Sequence, residues 1–191
     1  MTGPLQALLQ KTCQAVAGQP ALAEFVGPAL RPDLPLAETP PFGLPVTTLV
    51  LRGDWPDPLA AAVKNAAPLV RWQQSYSKAD GFSADYLNRY GWFNLVSSEG
   101  HFVADEIRVS IGYWGAGLIY REHWHAPEEI YLVLAGGARF LAEGRAPVDA
   151  RAGDRIHHRP NQKHAIEMRP GPLLAMAFWK GSALLEKSGL S

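Results

Sequence analysis

Two of the chain's six histidines stand two positions apart, in the run His123-Trp124-His125-Ala126-Pro127-Glu128-Glu129-Ile130-Tyr131. Alternate side chains on a β-strand share a face, so His123 and His125 project together. Ala126-Pro127 bends the chain, after which Glu129 and Tyr131 share a face of the next strand. If those faces turn inward, two imidazoles, a carboxylate and a phenol converge. His164 can add a third imidazole; it follows Gly153-Asp154, a short strand and a Pro160-Asn161 turn. Nitrogen and carboxylate donors without a thiolate suit Zn, Fe, Mn, Co or Ni. Three protein ligands with a fourth position left open is the arrangement of catalytic metal sites, whereas structural zinc sites are closed.

Such a cluster needs strands to hold it, and the second half of the chain supplies them. Short apolar runs recur at Trp92–Val96, Ile107–Tyr113, Ile130–Leu134, Ala138–Leu141, Arg155–His157, Ala165–Met168 and Leu173–Trp179. Turn residues separate them: Ser97-Ser98-Glu99-Gly100, Gly115-Ala116-Gly117, Gly136-Gly137, Glu143-Gly144, Gly153-Asp154 and Pro170-Gly171-Pro172. Strands of that length and spacing form an antiparallel sandwich or barrel. His157 and His158 are neighbours on one strand and face opposite sides, so they cannot chelate as a pair and read as structural. Glu128 likewise points away from Glu129, into solvent.

The first half follows a different pattern. Leu5, Leu8, Leu9, Ala15 and Val16 are spaced as on a helix, which Gly18-Gln19-Pro20 ends before a second short helix over Leu22, Phe25 and Val26. Six prolines between 28 and 46 predict an irregular connector over the surface. Asp57-Pro58 reads as a helix cap with proline at the first position, opening a helix towards Tyr76 that Pro68 should kink or split. The expected organisation is a helical, Pro-rich segment at 1–91 packed on a barrel at 92–191, as one structural unit.

Composition narrows the function classes. Lys plus Arg and Asp plus Glu are each 18, giving a formal net charge of zero. Nucleic-acid binding draws on a basic surface, and so does a polybasic membrane anchor. Gly (18) and Pro (16) exceed their usual combined share of roughly 12%, in keeping with many tight turns. Cys13 is the single cysteine, so no intrachain disulfide forms and Cys13 reads as helix packing. The start, Met1-Thr2-Gly3-Pro4-Leu5-Gln6, has no positive region followed by an apolar run, and no stretch reaches the ~18 apolar residues of a membrane span. The expectation is a soluble, cytoplasmic protein with a small-molecule substrate and no nucleic-acid or membrane partner.

At this point the residues carry a resemblance. Gly117–x5–His123–x–His125–x3–Glu129–x6–Gly136 matches the first cupin motif at every spaced position, and Gly153–x6–Pro160–x3–His164 resembles the second more loosely. The resemblance implies a mainly β, jelly-roll-like cupin barrel enclosing one divalent metal, Zn, Fe or Mn. More finely, Tyr120, the 123–131 run and Trp179 resemble the cupin-type dimethylsulfoniopropionate lyases of marine bacteria, as does the helical N-terminal half. That family splits dimethylsulfoniopropionate, a zwitterionic sulfonium carboxylate, into dimethyl sulfide and acrylate by β-elimination. Carried over, the resemblance makes His125, Glu129 and His164 metal ligands, with Tyr131 a further ligand and the catalytic base. Tyr120, His123 and Trp179 then contact substrate, although the general cupin pattern makes His123 a ligand. Two other readings use the same residues: a cupin oxygenase or isomerase, and a non-catalytic cupin that binds a small molecule.

Overall fold

A computed structural model describes residues 3–169 and 171–191. Met1 and Thr2, at the start of the helical segment, and Pro170, in the last predicted turn, lie outside the described residues. Five α-helices come first: α1 (Pro4–Ala17), α2 (Pro20–Val26), α3 (Pro45–Arg52), α4 (Pro58–Ala66) and α5 (Ala84–Asn88). Ten strands follow: β1 (Tyr90–Ser97), β2 (Phe102–Val103), β3 (Ile107–Trp114), β4 (Ile119–Trp124), β5 (Glu128–Ala142), β6 (Val148–Arg151), β7 (Arg155–His158), β8 (His164–Glu167), β9 (Leu173–Lys180) and β10 (Gly189–Leu190).

The strands form a cupin barrel with two faces. One carries β2-β1-β3-β9-β5, with β7 also paired to β5; the other carries β10-β4-β8-β5, with β6 on β5. All pairs are antiparallel except β1 with β2. β5 belongs to both faces: its first half pairs with β7 and β9, its second with β6 and β8.

This corrects the break expected at Gly136-Gly137, because Ile130–Leu134 and Ala138–Leu141 are parts of one bent strand. Gly136 takes φ +71°, a left-handed conformation that a residue with a Cβ enters at a cost, and the register against β9 shifts between Val133 and Ala135. The glycine turns the strand round the barrel's corner without ending it.

The helical segment follows its sequence signals with two exceptions. The Asp57 carboxylate accepts from the backbone N–H groups of Leu59 (2.8 Å) and Ala60 (3.0 Å), capping α4. That helix stops at Ala66, before Pro68, so Val70, Trp72 and Tyr76 lie in an extended stretch rather than on it. Within that stretch Gln73 exchanges both backbone hydrogen bonds with Trp92 of β1. The proline-rich connector is largely irregular as expected, but Pro45 opens α3, with its fixed φ already suited to a first helical turn. Leu8, Leu9, Leu22, Val46, Val50 and Val63 are buried in one core with Phe93, Ile111, Leu134 and Met176 from the barrel wall. Cys13 lies half-buried against this core, as the helical pattern indicates. A second core inside the barrel is mostly aromatic, with Tyr76, Tyr86, Tyr90, Trp114, Tyr120, Tyr131 and Phe140. No helix among the described residues is long and apolar enough to cross a membrane.

The bend in β5 gives a direct test. A Cβ on Gly136 would lie 1.8 Å from the Pro172 carbonyl oxygen, an overlap with backbone that no rotamer relieves. Gly136→Ala is expected to destabilise the fold by more than ~2 kcal/mol, read as a lower midpoint in denaturant unfolding. A midpoint within error of the parent would show that the corner is not built on this residue.

Candidate active site

The barrel wall brings His123, His125 and His164 together, each buried, with one ligand atom of each lying within 4.8 Å of the others. Antiparallel pairing of β4 with β8 sets His123 directly opposite His164. His125 follows β4, and its backbone carbonyl accepts from the N–H of Asn161, which holds the Pro160-Asn161 turn beneath it.

Each imidazole is held by its own chain. The Nδ1 of His123 lies 2.8 Å from the Arg121 carbonyl, that of His125 2.9 Å from the Pro127 carbonyl, and that of His164 2.8 Å from the Gln162 carbonyl. A carbonyl only accepts, so in all three rings Nδ1 carries the proton and Nε2 is the free ligand position.

Glu129 lies among these Nε2 atoms and is fully buried. Its Oε2 accepts from His125 Nε2 at 3.1 Å and stands 3.4 Å from His164 Nε2, while its Oε1 accepts from the indole N–H of Trp179 at 2.5 Å. Burial alone would raise the Glu129 pKa, but the charges and hydrogen bonds of His125 and His164 hold it well below the usual carboxylate range. Burial opposes protonation of His125 and is outweighed by Glu129, so His125 is raised. Burial and the neighbouring His164 push His123 well down.

His164 Nε2 is buried with no hydrogen-bond partner, and so are both ring nitrogens of His158. Orphaned nitrogens around a buried carboxylate are costly unless something binds them. A divalent metal meets that need with oxygen and nitrogen donors of the right kind.

His158 is the residue that sequence reading missed. β7 pairs it with Glu129, and its ring stacks on His164 with centroids 4.0 Å apart. Glu129, His158 and His164 form a second group whose ligand atoms lie within 4.8 Å of one another. Burial lowers the His158 pKa to about 3, which keeps it a neutral imidazole. The available signal was the alternation already invoked for this pair. His157 does face outward, where it contacts Glu128 (2.6 Å), and that alone turns His158 inward.

A cavity of about 290 Å³ opens beside the cluster, lined by Tyr120, Glu129, Tyr131 and Trp179 among others. Tyr131 follows Glu129 by two on β5 and is buried; burial and the Glu129 charge raise its pKa well above the ordinary phenol value. Tyr120 stacks on His123 at 4.0 Å, closing that side of the histidine. Trp179 has both faces covered, by His125 (4.1 Å) and by the Arg108 guanidinium (4.5 Å), so it meets the cavity edge-on. The geometry groups His123 with the other imidazole donors, behind Tyr120, and not with the cavity lining. Among residues that spacing did not single out, Tyr90, Trp92, Arg108 and Trp114 also line the cavity.

Comparison with known proteins bears on what this arrangement acts upon. Residues 50–175 match the family model described as dimethylsulfoniopropionate lyase. The chain is 32% identical over 170 residues to dimethylsulfoniopropionate lyase DddQ of Ruegeria pomeroyi, covering 86% of this chain and 83% of the relative. The crystal structure of DddQ from Ruegeria pomeroyi DSS-3 superposes with a TM-score of 0.89 at 30% identity, covering 98% of this chain and 96% of that one. A chain from the crystal structures of the DMSP lyases RdDddP and RnDddQII gives a TM-score of 0.91 at 35% identity, covering 98% and 97%. The match runs through the helical segment as well as the barrel, and the buried carboxylate with its imidazoles lies inside the matched span: the chain belongs to the dimethylsulfoniopropionate lyase family.

Proposed function

We propose that the protein cleaves dimethylsulfoniopropionate to dimethyl sulfide and acrylate by β-elimination at a single-metal centre, with Tyr131 as the base. One observation carries the reading: a buried carboxylate ringed by imidazole Nε2 atoms, with a phenol two residues along the same strand and a small cavity at its side. His125, Glu129 and His164 would hold the metal, with Tyr131 and His123 as further candidates. Zn, Fe and Mn all suit these donors, and when bound such an ion supplies positive charge opposite the enolate-like charge that develops.

The protein's own groups account for the remaining steps. Tyr131, as phenolate, takes a proton from the carbon next to the substrate carboxylate. The electron pair forms the new C=C bond, and the C–S bond breaks with its pair going to sulfur, which leaves as neutral dimethyl sulfide. The phenol then returns its proton to water. Without a cation nearby, burial and Glu129 keep Tyr131 protonated, so the base depends on the charge that the imidazole cluster holds beside it. At the sulfonium end no hydrogen bond is possible, and the faces of Tyr90, Trp114 and Tyr120 offer cation–π contacts of roughly 0.5–2 kcal/mol each. Trp179 serves the reaction by fixing Glu129 through its N–H. The segment at 1–91 and the barrel act as one unit, since Gln73, Gln74 and Ser75 line the same cavity. We place this activity in the cytoplasm, on a freely diffusing small molecule.

Headspace dimethyl sulfide over purified protein tests the reading. Release that chelator abolishes, and that added Zn, Mn or Fe(II) restores, is the expected result; no release from any metal-loaded sample would sink it. Tyr131→Phe is expected to keep metal content and circular dichroism while lowering kcat about 10²–10⁴-fold, the range for losing a general base. Full turnover in that variant would remove Tyr131 from the role. Trp179→Phe deletes the N–H that Glu129 accepts, and metal affinity in a competition titration should fall roughly 10–100-fold. Unchanged affinity would show that Glu129 needs no such support.

A further inference from the structure

β3 places one charged side chain inside the barrel. Arg108 is 7% exposed, and it lines the cavity together with Ser110, Gly112 and Trp114 at alternating positions of the same strand. Its guanidinium lies between two indoles, 4.7 Å from the Trp92 ring centre and 4.5 Å from that of Trp179. Nε donates to Asn94 Oδ1 and to Ser110 Oγ, both at 2.9 Å, and Nη1 donates to the Leu184 carbonyl at 2.9 Å. Ser110 in turn donates to the same Asn94 oxygen (2.8 Å), so the whole fork is fixed.

What this cation lacks is an anion. Among the described residues no carboxylate lies within 4.0 Å of it, and Nη2 makes no hydrogen bond. The nearest buried acid that acts on it, Glu129, already has His125 and Trp179 as partners. A buried charge left unpaired is expensive, and an arginine fork is the side chain best shaped to grip a carboxylate through two N–H groups. The far end of β3 has the opposite character. The Trp114 ring folds back over Gly112, where a Cβ would lie 2.5 Å from it, and meets Tyr90 and Tyr120 at 5.6 Å in each case. The cavity is therefore polarised, with a cation at one end and aromatic faces at the other.

We propose that Arg108 binds the carboxylate of the substrate and thereby sets which way round a zwitterion enters the cavity. The inference rests on the lyase reading above, and it adds the residue that recognises the anionic end. Like charge excludes a sulfonium from the Arg108 end and leaves it the aromatic end. The two tryptophans and Asn94 hold the fork in place before substrate arrives, so little ordering is required on binding.

The test is a cycle of two proteins and two substrates, using metal-loaded enzyme. Wild type and Arg108→Gln are each assayed on dimethylsulfoniopropionate and on its methyl ester, which keeps the sulfonium and loses the anionic charge. On the acid, Arg108→Gln should raise KM about 10–100-fold, the range for losing a charged hydrogen-bonded pair, with kcat changed much less. On the ester the same substitution should change KM less than about threefold, because the contact is already gone. Equal KM effects on acid and ester would overturn the proposal and leave Arg108 a packing residue. If Arg108→Gln does not fold, Arg108→Lys carries the same cycle, since it keeps the charge and loses the fork. Wild type that releases no dimethyl sulfide from the acid would instead defeat the lyase reading itself, and the Arg108 assignment with it.

Discussion

A carboxylate with no exposure to solvent must find its compensation inside the protein, and Glu129 imposes that requirement on this barrel. Its two oxygens take partners from three strands and a turn: His125 after β4, His164 on β8 and Trp179 on β9, with His158 opposite on β7. Those elements belong to both faces of the barrel, so closing the barrel and completing the coordination of this charge are one event. β5 can carry Glu129 on one face and pair with the strand of His164 on the other only because Gly136 lets it turn the corner. The arrangement is costly unless a cation completes it, as the orphaned nitrogens of His158 and His164 show.

The cavity wall follows from the same constraint. Trp179 must present its N–H to Glu129, so its ring lies across the barrel and offers its two faces to His125 and Arg108. One indole thereby spaces the imidazole cluster from the guanidinium. The aromatic residues on the other side come partly from outside the barrel: Tyr76 stacks on Phe82 at 4.8 Å and lies 6.1 Å from Tyr120. The N-terminal half thus supplies walls as well as cover. Its apolar helices share a core with β3, β5 and β9, where each large buried side chain contributes on the order of 1.5–3 kcal/mol.

Where the sequence spoke clearly, it did so through period. The two-residue spacing of His123 and His125, and of Glu129 and Tyr131, was enough to place them on shared faces, and Pro160 with Asn161 located the turn before His164. Asp57-Pro58 announced a helix for reasons that are entirely local. Gly136-Gly137 was read as a stop because a glycine pair marks a turn more often than a bent strand, and only the pairing of β5 with partners on both faces distinguishes the two. His158 escaped because it was judged as half of an adjacent pair instead of as an inward position. Arg108 left no trace at all: a lone arginine in an apolar strand acquires meaning only when Trp92, Asn94 and Trp179 are known to surround it. Long-range contacts of that kind have no spacing.

The three rings that point Nε2 inward are held by the carbonyls of Arg121, Pro127 and Gln162. Those acceptors belong to the main chain and survive any change of side chain at the three positions. Mutational drift can therefore remove a histidine but cannot easily reverse one, and a histidine regained later in the lineage finds its tautomer already specified. Selection on this centre acts on which donors are present, while their orientation is inherited with the fold.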